Sequence, residues 1–253
     1  LGQVLPSLSG QNPARQALIK SGIPKEKTAF NINQVCGSGL RAIVLGYQSI
    51  CMGSSKFVIA GGQESMSNSN EKEMLTNGLI DAFNNYHMGV TAENVAEKFS
   101  ISREEQDRFA LNSQIKTENS IKNKKFLSEI VDDSQDEHPR FNLNIENLKK
   151  LKPAFKMGGT VTAGNSSGIN DGAAGVLLTS RELAEKKNLE IKAKIVSWAT
   201  CGVDPTLMGL GPIPSSLKAL EIAGWNINDI DLIECNEAFA AQTLAVVKEL
   251  KIP

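Results

Sequence analysis

Apolar positions along the chain fall into short clustered runs and longer runs at helical spacing, and the two kinds alternate. Leu40, Ile43, Val44, Tyr47 and Ile50 recur at the period of one helix face. Ala29–Val35 before them reads as a short strand, and Lys56–Ala60 after them as another, closed by Gly61-Gly62. Strand, helix and strand with short joints make a βαβ unit, which implies a parallel sheet. Upstream, Leu1–Pro6 reads as the end of a strand. Asn12-Pro13-Ala14-Arg15 reads as a helix start, with Asn12 as N-cap, and that helix stops at Gly22 with Pro24 just beyond.

From Ser65 to Gly78 the pattern loses its period. A helix is predicted over Thr91–Phe99 with Thr91 as N-cap, after Tyr86-His87-Met88-Gly89. Ser102-Arg103-Glu104-Glu105 is a capping box that opens a second helix reaching about Ile121. The run from Gly158 to Gly168 is dense in Gly, Ser and Thr. Beyond it, alternation resumes: strands at Val176–Leu178, Lys192–Ala199 and Asp231–Glu234, and helices at Ser180–Glu185, at Ile213–Ala223, ended by Gly224, and at Asn236–Leu250. The helix of Asn12–Pro24 and that of Asn236–Pro253 close in similar Lys/Ile/Pro sequences, as two related halves would. The expected fold class is α/β, with sheet-bearing parts at residues 1–68 and 169–253 and a mostly helical insertion at 69–168.

Composition narrows the function classes. The 253 residues are 41% hydrophobic and 22% charged, with a net charge of −1. Such a chain has the material for a sizeable core and no global field to attract nucleic acid or an anionic membrane. No run reaches the roughly 18 apolar residues of a membrane span, and Leu1-Gly2-Gln3 does not read as a signal peptide. The four cysteines lack Cys-x-x-Cys spacing and fit a reducing, cytoplasmic compartment. The two histidines, His87 and His138, make no metal-ligand spacing with the cysteines, so no metal site is expected.

Cys36, in Asn33-Gln34-Val35-Cys36-Gly37-Ser38-Gly39-Leu40, stands where strand turns into helix. The first amides of a helix have no intrahelical partner and, aimed at this cysteine, would favour a thiolate and hold a developing oxyanion. Gly37 and Gly39 leave room for a sharp turn and for a ligand against the backbone. The other outcome for a free cysteine is packing as a small buried hydrophobe, and spacing leaves both open.

This segment resembles the nucleophile segment of the thiolases, and further matches follow along nearly the whole chain. The resemblance implies a thiolase-like fold of two similar βαβαβ-type halves with an inserted loop domain that binds coenzyme A. It implies acyl transfer through an acyl-cysteine: thiolytic cleavage of acetoacetyl-CoA, or Claisen condensation of two acetyl-CoA. Cys36 matches the nucleophile. Asn236, in Asn236-Glu237-Ala238-Phe239-Ala240, matches the residue that holds a water in the second oxyanion site. By position alone it would be an N-cap, and Glu237 would hold neighbouring loops. His87, Met88, Met208 and Phe239 match walls of a small acyl pocket; read without the resemblance, the methionines are core and His87 a satisfied polar residue. Arg140 matches a residue against the adenine end of coenzyme A, and Ala163 and Ser167 match contacts to its pantetheine arm. Otherwise these are a solvated charge and a flexible loop.

Coenzyme A is then substrate and product, not cofactor, and assembly as a homodimer or homotetramer is implied. The stretches at Ser65–Gly78 and around Val131-Asp132-Asp133 look shorter than the family pattern. The chain has no Gly-His-Pro segment for the activating histidine and no Cys-x-Gly-Gly-Gly segment for a second catalytic cysteine. Cys235 does not match the latter. Two other readings therefore stand beside the short-chain enzyme: a coenzyme A thioester-binding chain without turnover, and a 3-ketoacyl-CoA thiolase of longer chain specificity.

Overall fold

The computed structural model describes residues 1–6, 9–130 and 136–252; the short stretch at Val131-Asp132-Asp133 lies outside them. In chain order the elements are α1 (Pro13–Lys20), α2 (Ser38–Cys51), β1 (Phe57–Ser65), α3 (Glu71–Met74), α4 (Met88–Lys98), α5 (Arg103–Lys122), α6 (Ile145–Lys149), β2 (Asp171–Thr179), α7 (Arg181–Lys186), α8 (Pro212–Ala223) and α9 (Ala240–Leu250). A 3₁₀ segment covers Pro205–Leu210. The chain forms two compact units, residues 1–80 with 169–196, and residues 81–168 with 197–253.

In the first unit β1 and β2 pair antiparallel, from Phe57 opposite Thr179 to Ser65 opposite Asp171. The parallel relation expected of the βαβ unit is present as single bridges rather than a long ladder. Gly2 bridges Gly62 of β1 on one side and Ile32 on the other, both parallel. The amide of Gly2 donates to the Gly61 carbonyl at 2.8 Å, and that of Ile32 to the Leu1 carbonyl at 3.0 Å. The lateral order is thus Ile32, Gly2, β1, β2, with Leu1–Gln3 inserted between the Ile32 segment and β1; the expected strand Ala29–Val35 is reduced to isolated bridges. The ladder stops where the Glu64 carboxylate accepts the amides of Val4 and Leu5, at 2.8 and 3.2 Å, in place of backbone carbonyls. Helix α2 lies on the sheet through Gly46. A Cβ there would come within 2.8 Å of Leu178 and 3.0 Å of Val58, so the missing side chain sets the depth of packing. Asn12 caps α1 as expected, its side chain accepting the Arg15 amide.

The second unit is helical. Val95, Ala96, Ile101, Ala241 and Ala245 form its main core, joined by Phe99, Leu207, Leu210 and Leu244. Small alanine faces on α4 and α9 let the helices approach closely. The Ser102 capping box is formed in full and opens α5. Gly224, at φ 69°, closes α8. Two expected strands are absent: Lys192–Ala199 and Asp231–Glu234 run without ladder partners among the described residues. A strand exists only when its N–H and C=O groups meet a neighbour, and Leu232, 79% exposed, has no sheet beneath it. Among the described residues no helix is long and apolar enough to cross a membrane.

Candidate active site

Cys36 occupies a tightly tied turn in the first unit. The amide of Val35 donates to Asn33 Oδ1 and that of Gln34 to Ser38 Oγ, both at 2.8 Å. Ser38 Oγ in turn donates to the Val35 carbonyl. The strained residue is not a glycine. Val35, β-branched, sits at φ 48° in the left-handed region, which L side chains enter at a cost. The result is an exposed Cys36 side chain, not a sulfur packed away as a hydrophobe.

Two expectations about this turn change. Gly37 has φ −79°, so freedom of φ is not its contribution. Gly39 makes room for protein: a Cβ added to Gly62 would stand 3.4 Å from the Gly39 Cα, and one on Gly2 would stand 2.5 Å from the Ser38 carbonyl carbon. The start of α2 is seated on this glycine floor. The amides of Gly37 and Ser38 are also not directed at the sulfur. They close the turn on the Gln34 and Val35 carbonyls, each at 3.1 Å.

The second unit gathers another group of predicted residues. His87, not Thr91, caps α4, because the helix begins at Met88. Thr91 is instead buried inside it, its hydroxyl donating to the Met88 carbonyl. Nδ1 of His87 accepts the Gly89 amide at 3.0 Å, which leaves the ring proton of the neutral form on Nε2. Burial pushes its pKa below the ordinary value of 6.5. The ring stacks on Phe155, with centroids 4.6 Å apart, and Phe155 meets Phe239 edge-on at 6.0 Å. Met88, Ala92, Val161 and Ala238 complete this apolar patch. Sequence reasoning missed Phe155. Its signal was an aromatic just before the Gly-rich run, opposite Gly89, where an added Cβ would fall 2.1 Å from the ring.

The Gly-rich run is not a flexible loop. Buried Glu93 on α4 accepts the amides of Thr160 and Val161 and the Thr160 hydroxyl, at 2.8 to 3.0 Å. Thr162 and Asn165 are buried, whereas Ala163 and Ser167 are exposed. The Ser167 amide donates to the Ala238 carbonyl at 3.0 Å, and Ser166 bridges Phe239. Ser167 and Phe239 are therefore neighbours through the backbone.

Asn236 is exposed on the extended segment before α9 and is not its cap; Phe239 occupies that position. Glu237 accepts from Ser113 Oγ at 2.7 Å, tying this segment to α5. Burial raises the pKa of the adjacent Cys235 thiol, against a lowering by a hydrogen bond with the Gln242 side chain. Met208 is half-buried on the 3₁₀ segment, which Asn94 anchors by donating to the Thr206 carbonyl at 3.0 Å. Arg140 is exposed. Its amide donates to Gln114 Oε1 at 2.8 Å and its guanidinium to the Glu137 carbonyl at 2.9 Å, so it stands outside the aromatic patch. His87, Met88, Phe239 and Ser167 are thus brought together; Met208 and Arg140 are placed on adjoining elements, and Cys36 belongs to the other unit.

The chain is of mixed helix and sheet and presents Cys36 at the turn into α2, where its sulfur is open to a substrate as a nucleophile. Comparison with known proteins agrees. The thiolase N-terminal domain model matches residues 1–75 and 69–182, and the thiolase C-terminal domain model matches 189–253. Acetyl-CoA acetyltransferase of Rhizobium meliloti is 52% identical over 277 residues, covering 99% of this chain and 70% of that protein. Acetyl-CoA acetyltransferase of Shinella zoogloeoides is 50% identical, covering 99% and 71%. Among solved structures, Bacillus anthracis acetyl-CoA acetyltransferase matches with a TM-score of 0.94 at 39% identity, covering 100% of this chain and 71% of that one. Human mitochondrial 3-ketoacyl-CoA thiolase in complex with CoA matches with a TM-score of 0.92 at 39% identity, covering 100% and 70%. The chain belongs to the thiolase family.

Proposed function

We propose that the chain carries out acetyl transfer of the acetyl-CoA C-acetyltransferase type, on acetyl-CoA and acetoacetyl-CoA. Cys36 attacks the thioester carbonyl of acetyl-CoA, the C–S bond to coenzyme A breaks, and coenzyme A leaves as the thiol once protonated. The acetyl-cysteine is then taken by the enolate of a second acetyl-CoA, giving acetoacetyl-CoA. In the cleavage direction Cys36 attacks the ketone carbon of acetoacetyl-CoA, the bond between that carbon and the CH₂ next to the thioester breaks, acetyl-CoA leaves as its enolate and takes a proton, and coenzyme A thiol then accepts the acetyl group as a second acetyl-CoA and frees Cys36. Asn236 holds a water toward the oxyanion. His87, Met88, Met208 and Phe239 line the acyl group, while Ala163, Ser167 and Arg140 hold coenzyme A, with 69–168 as the coenzyme A-binding loop domain and 1–68 and 169–253 as parts of the N-terminal and C-terminal thiolase domains. Thioether and aromatic walls suit a small acyl group. An exposed sulfur on a rigid turn is the observation that carries this reading. The identities near 50% to acetyl-CoA acetyltransferases support the short-chain substrate over a longer one. Assembly as a homodimer or homotetramer in the cytoplasm belongs to the same proposal, and exposed Phe30 and Leu40 support it as apolar surface available to a second copy.

Labelled acetyl-CoA followed by denaturation and peptide mapping tests this. Label is expected on Cys36 and on nothing in Cys36→Ser; label on another residue overturns the assignment. The alternative reading is binding of coenzyme A thioesters without turnover. Loss of the acetoacetyl-CoA enolate absorbance on adding coenzyme A separates the two.

A further inference from the structure

The Gly-rich run and the Asn236–Phe239 segment are far apart in sequence, yet both hang on one buried residue, Asn165, 2% exposed, whose side chain holds the run and whose main-chain carbonyl holds the start of α9. Its Oδ1 accepts the Thr162 amide at 2.7 Å. Its Nδ2 donates to Asp107 Oδ1 at 2.9 Å and to the Thr160 carbonyl at 3.2 Å. Its main-chain carbonyl accepts the amide of Ala240, the first residue of α9, at 3.0 Å. That helix has no side-chain cap, so Asn165 supplies the acceptor a cap would have provided. Asp107, 1% exposed, accepts from Arg103 Nε at 2.8 Å on its other oxygen, and the Arg103 guanidinium donates onward to the Leu148 and Leu151 carbonyls at 2.6 and 3.0 Å.

We infer that Asn165, backed by Asp107 and Arg103, is a positioning residue. It fixes the run carrying Ala163 and Ser167 in register with the segment carrying Asn236 and Phe239, so that coenzyme A and the acyl group meet one preformed surface. The inference rests on the proposed roles of those four residues but is separable from them. The polarity of the chain is specific: Arg103 donates to Asp107, and Asp107 accepts from Asn165. An asparagine at 107 could accept from Arg103 through its oxygen and donate through its amide to an aspartate at 165, which would still accept the Thr162 amide. The contact at Thr160 would be given up. The arrangement therefore predicts that the exchange of the two residues works better than either change alone.

Amide hydrogen exchange by mass spectrometry, without ligand, compares the wild type, Asn165→Asp, Asp107→Asn and the double exchange. Each single variant is expected to speed exchange at least tenfold in peptides spanning both 162–168 and 237–241, while α2 in the first unit keeps its protection. The double variant should recover most of the loss. A parallel titration with coenzyme A should show at least tenfold weaker binding in the single variants and partial recovery in the double. If the two segments exchange at wild-type rates in Asn165→Asp, or if the double variant is no better protected than the worse single one, the inference is overturned. Failure of the wild type to bind coenzyme A, with exchange behaving as expected, would refute the proposed ligand while sustaining the coupling of the two segments through Asn165.

Discussion

Glu93 offers a test of how the Gly-rich run is held. Its buried carboxylate receives three donors, the Thr160 amide and hydroxyl and the Val161 amide, all from the two residues that begin the run. Glu93→Ala removes every acceptor and leaves two amides in a region where Val161 is fully buried. Each stranded donor costs about 1–3 kcal/mol, so the loss should be about 4 kcal/mol. Glu93→Gln keeps one oxygen for the amides and turns its NH₂ toward Thr160 Oγ1, which has lone pairs to accept it. It should cost about 1–2 kcal/mol, the difference between charge-assisted and neutral bonds. Both tryptophans, Trp198 and Trp225, lie in the second unit, so their fluorescence reports on the unit that contains Glu93. With a urea dependence of about 2 kcal/mol per molar, the midpoint should fall by about 2 M for Ala and by about 0.5–1 M for Gln. A loss in the alanine variant alone, with the isosteric glutamine at the wild-type midpoint, would show that the side chain acts by packing alone. Unchanged midpoints in both would refute the claim that it anchors the run.

Other outcomes follow from the same physics. His87 has a folded pKa below its ordinary value, so the folded state binds fewer protons than the unfolded one between the two values. The stability gained by keeping the ring neutral is full above about pH 6.5 and is lost as pH falls from there to the folded value. Chemical denaturation of His87→Asn, which offers a side-chain oxygen as cap in place of Nδ1, should show a flatter pH dependence in that window. Gly89→Ala should cost about 1–3 kcal/mol, because its Cβ would lie 2.1 Å from the Phe155 ring; the change should appear in near-ultraviolet circular dichroism and in the urea midpoint. Val35→Gly should relieve the left-handed strain at φ 48°, worth about 1–2 kcal/mol, against a chain-entropy loss of about 0.5–1 kcal/mol. Calorimetry should place its melting temperature at or slightly above the wild type, and a marked fall would mean that the Val35 side chain is a packing contact.

Much of the local structure was legible because its causes are local. The Asn12 cap, the Ser102 capping box and the Gly224 stop each involve residues within a turn of one another, and all three form. The start of α4 was misplaced to Thr91 because a histidine acting as a cap through Nδ1 leaves no compositional mark; stacking on Phe155 helps hold that ring in place. The strands at Lys192–Ala199 and Asp231–Glu234 failed for the opposite reason. Their apolar runs are genuine, but a ladder needs a second chain segment, which a run cannot specify for itself.

By itself the sequence determined the ends of α1, α5 and α8, the α/β class and the cysteine turn, the last because Asn33, Val35, Cys36, Gly37, Ser38 and Gly39 act on each other across a few bonds. It also carried the likeness to thiolases. Only the tertiary structure decided that Gly2, Gly39 and Gly62 make a floor for α2, and that Phe155 joins His87 to Phe239. It likewise decided that Asn165 links the Gly-rich run to α9. Those contacts join residues tens of positions apart, and a close approach or a buried hydrogen bond depends on how whole elements pack, which spacing along a chain does not encode.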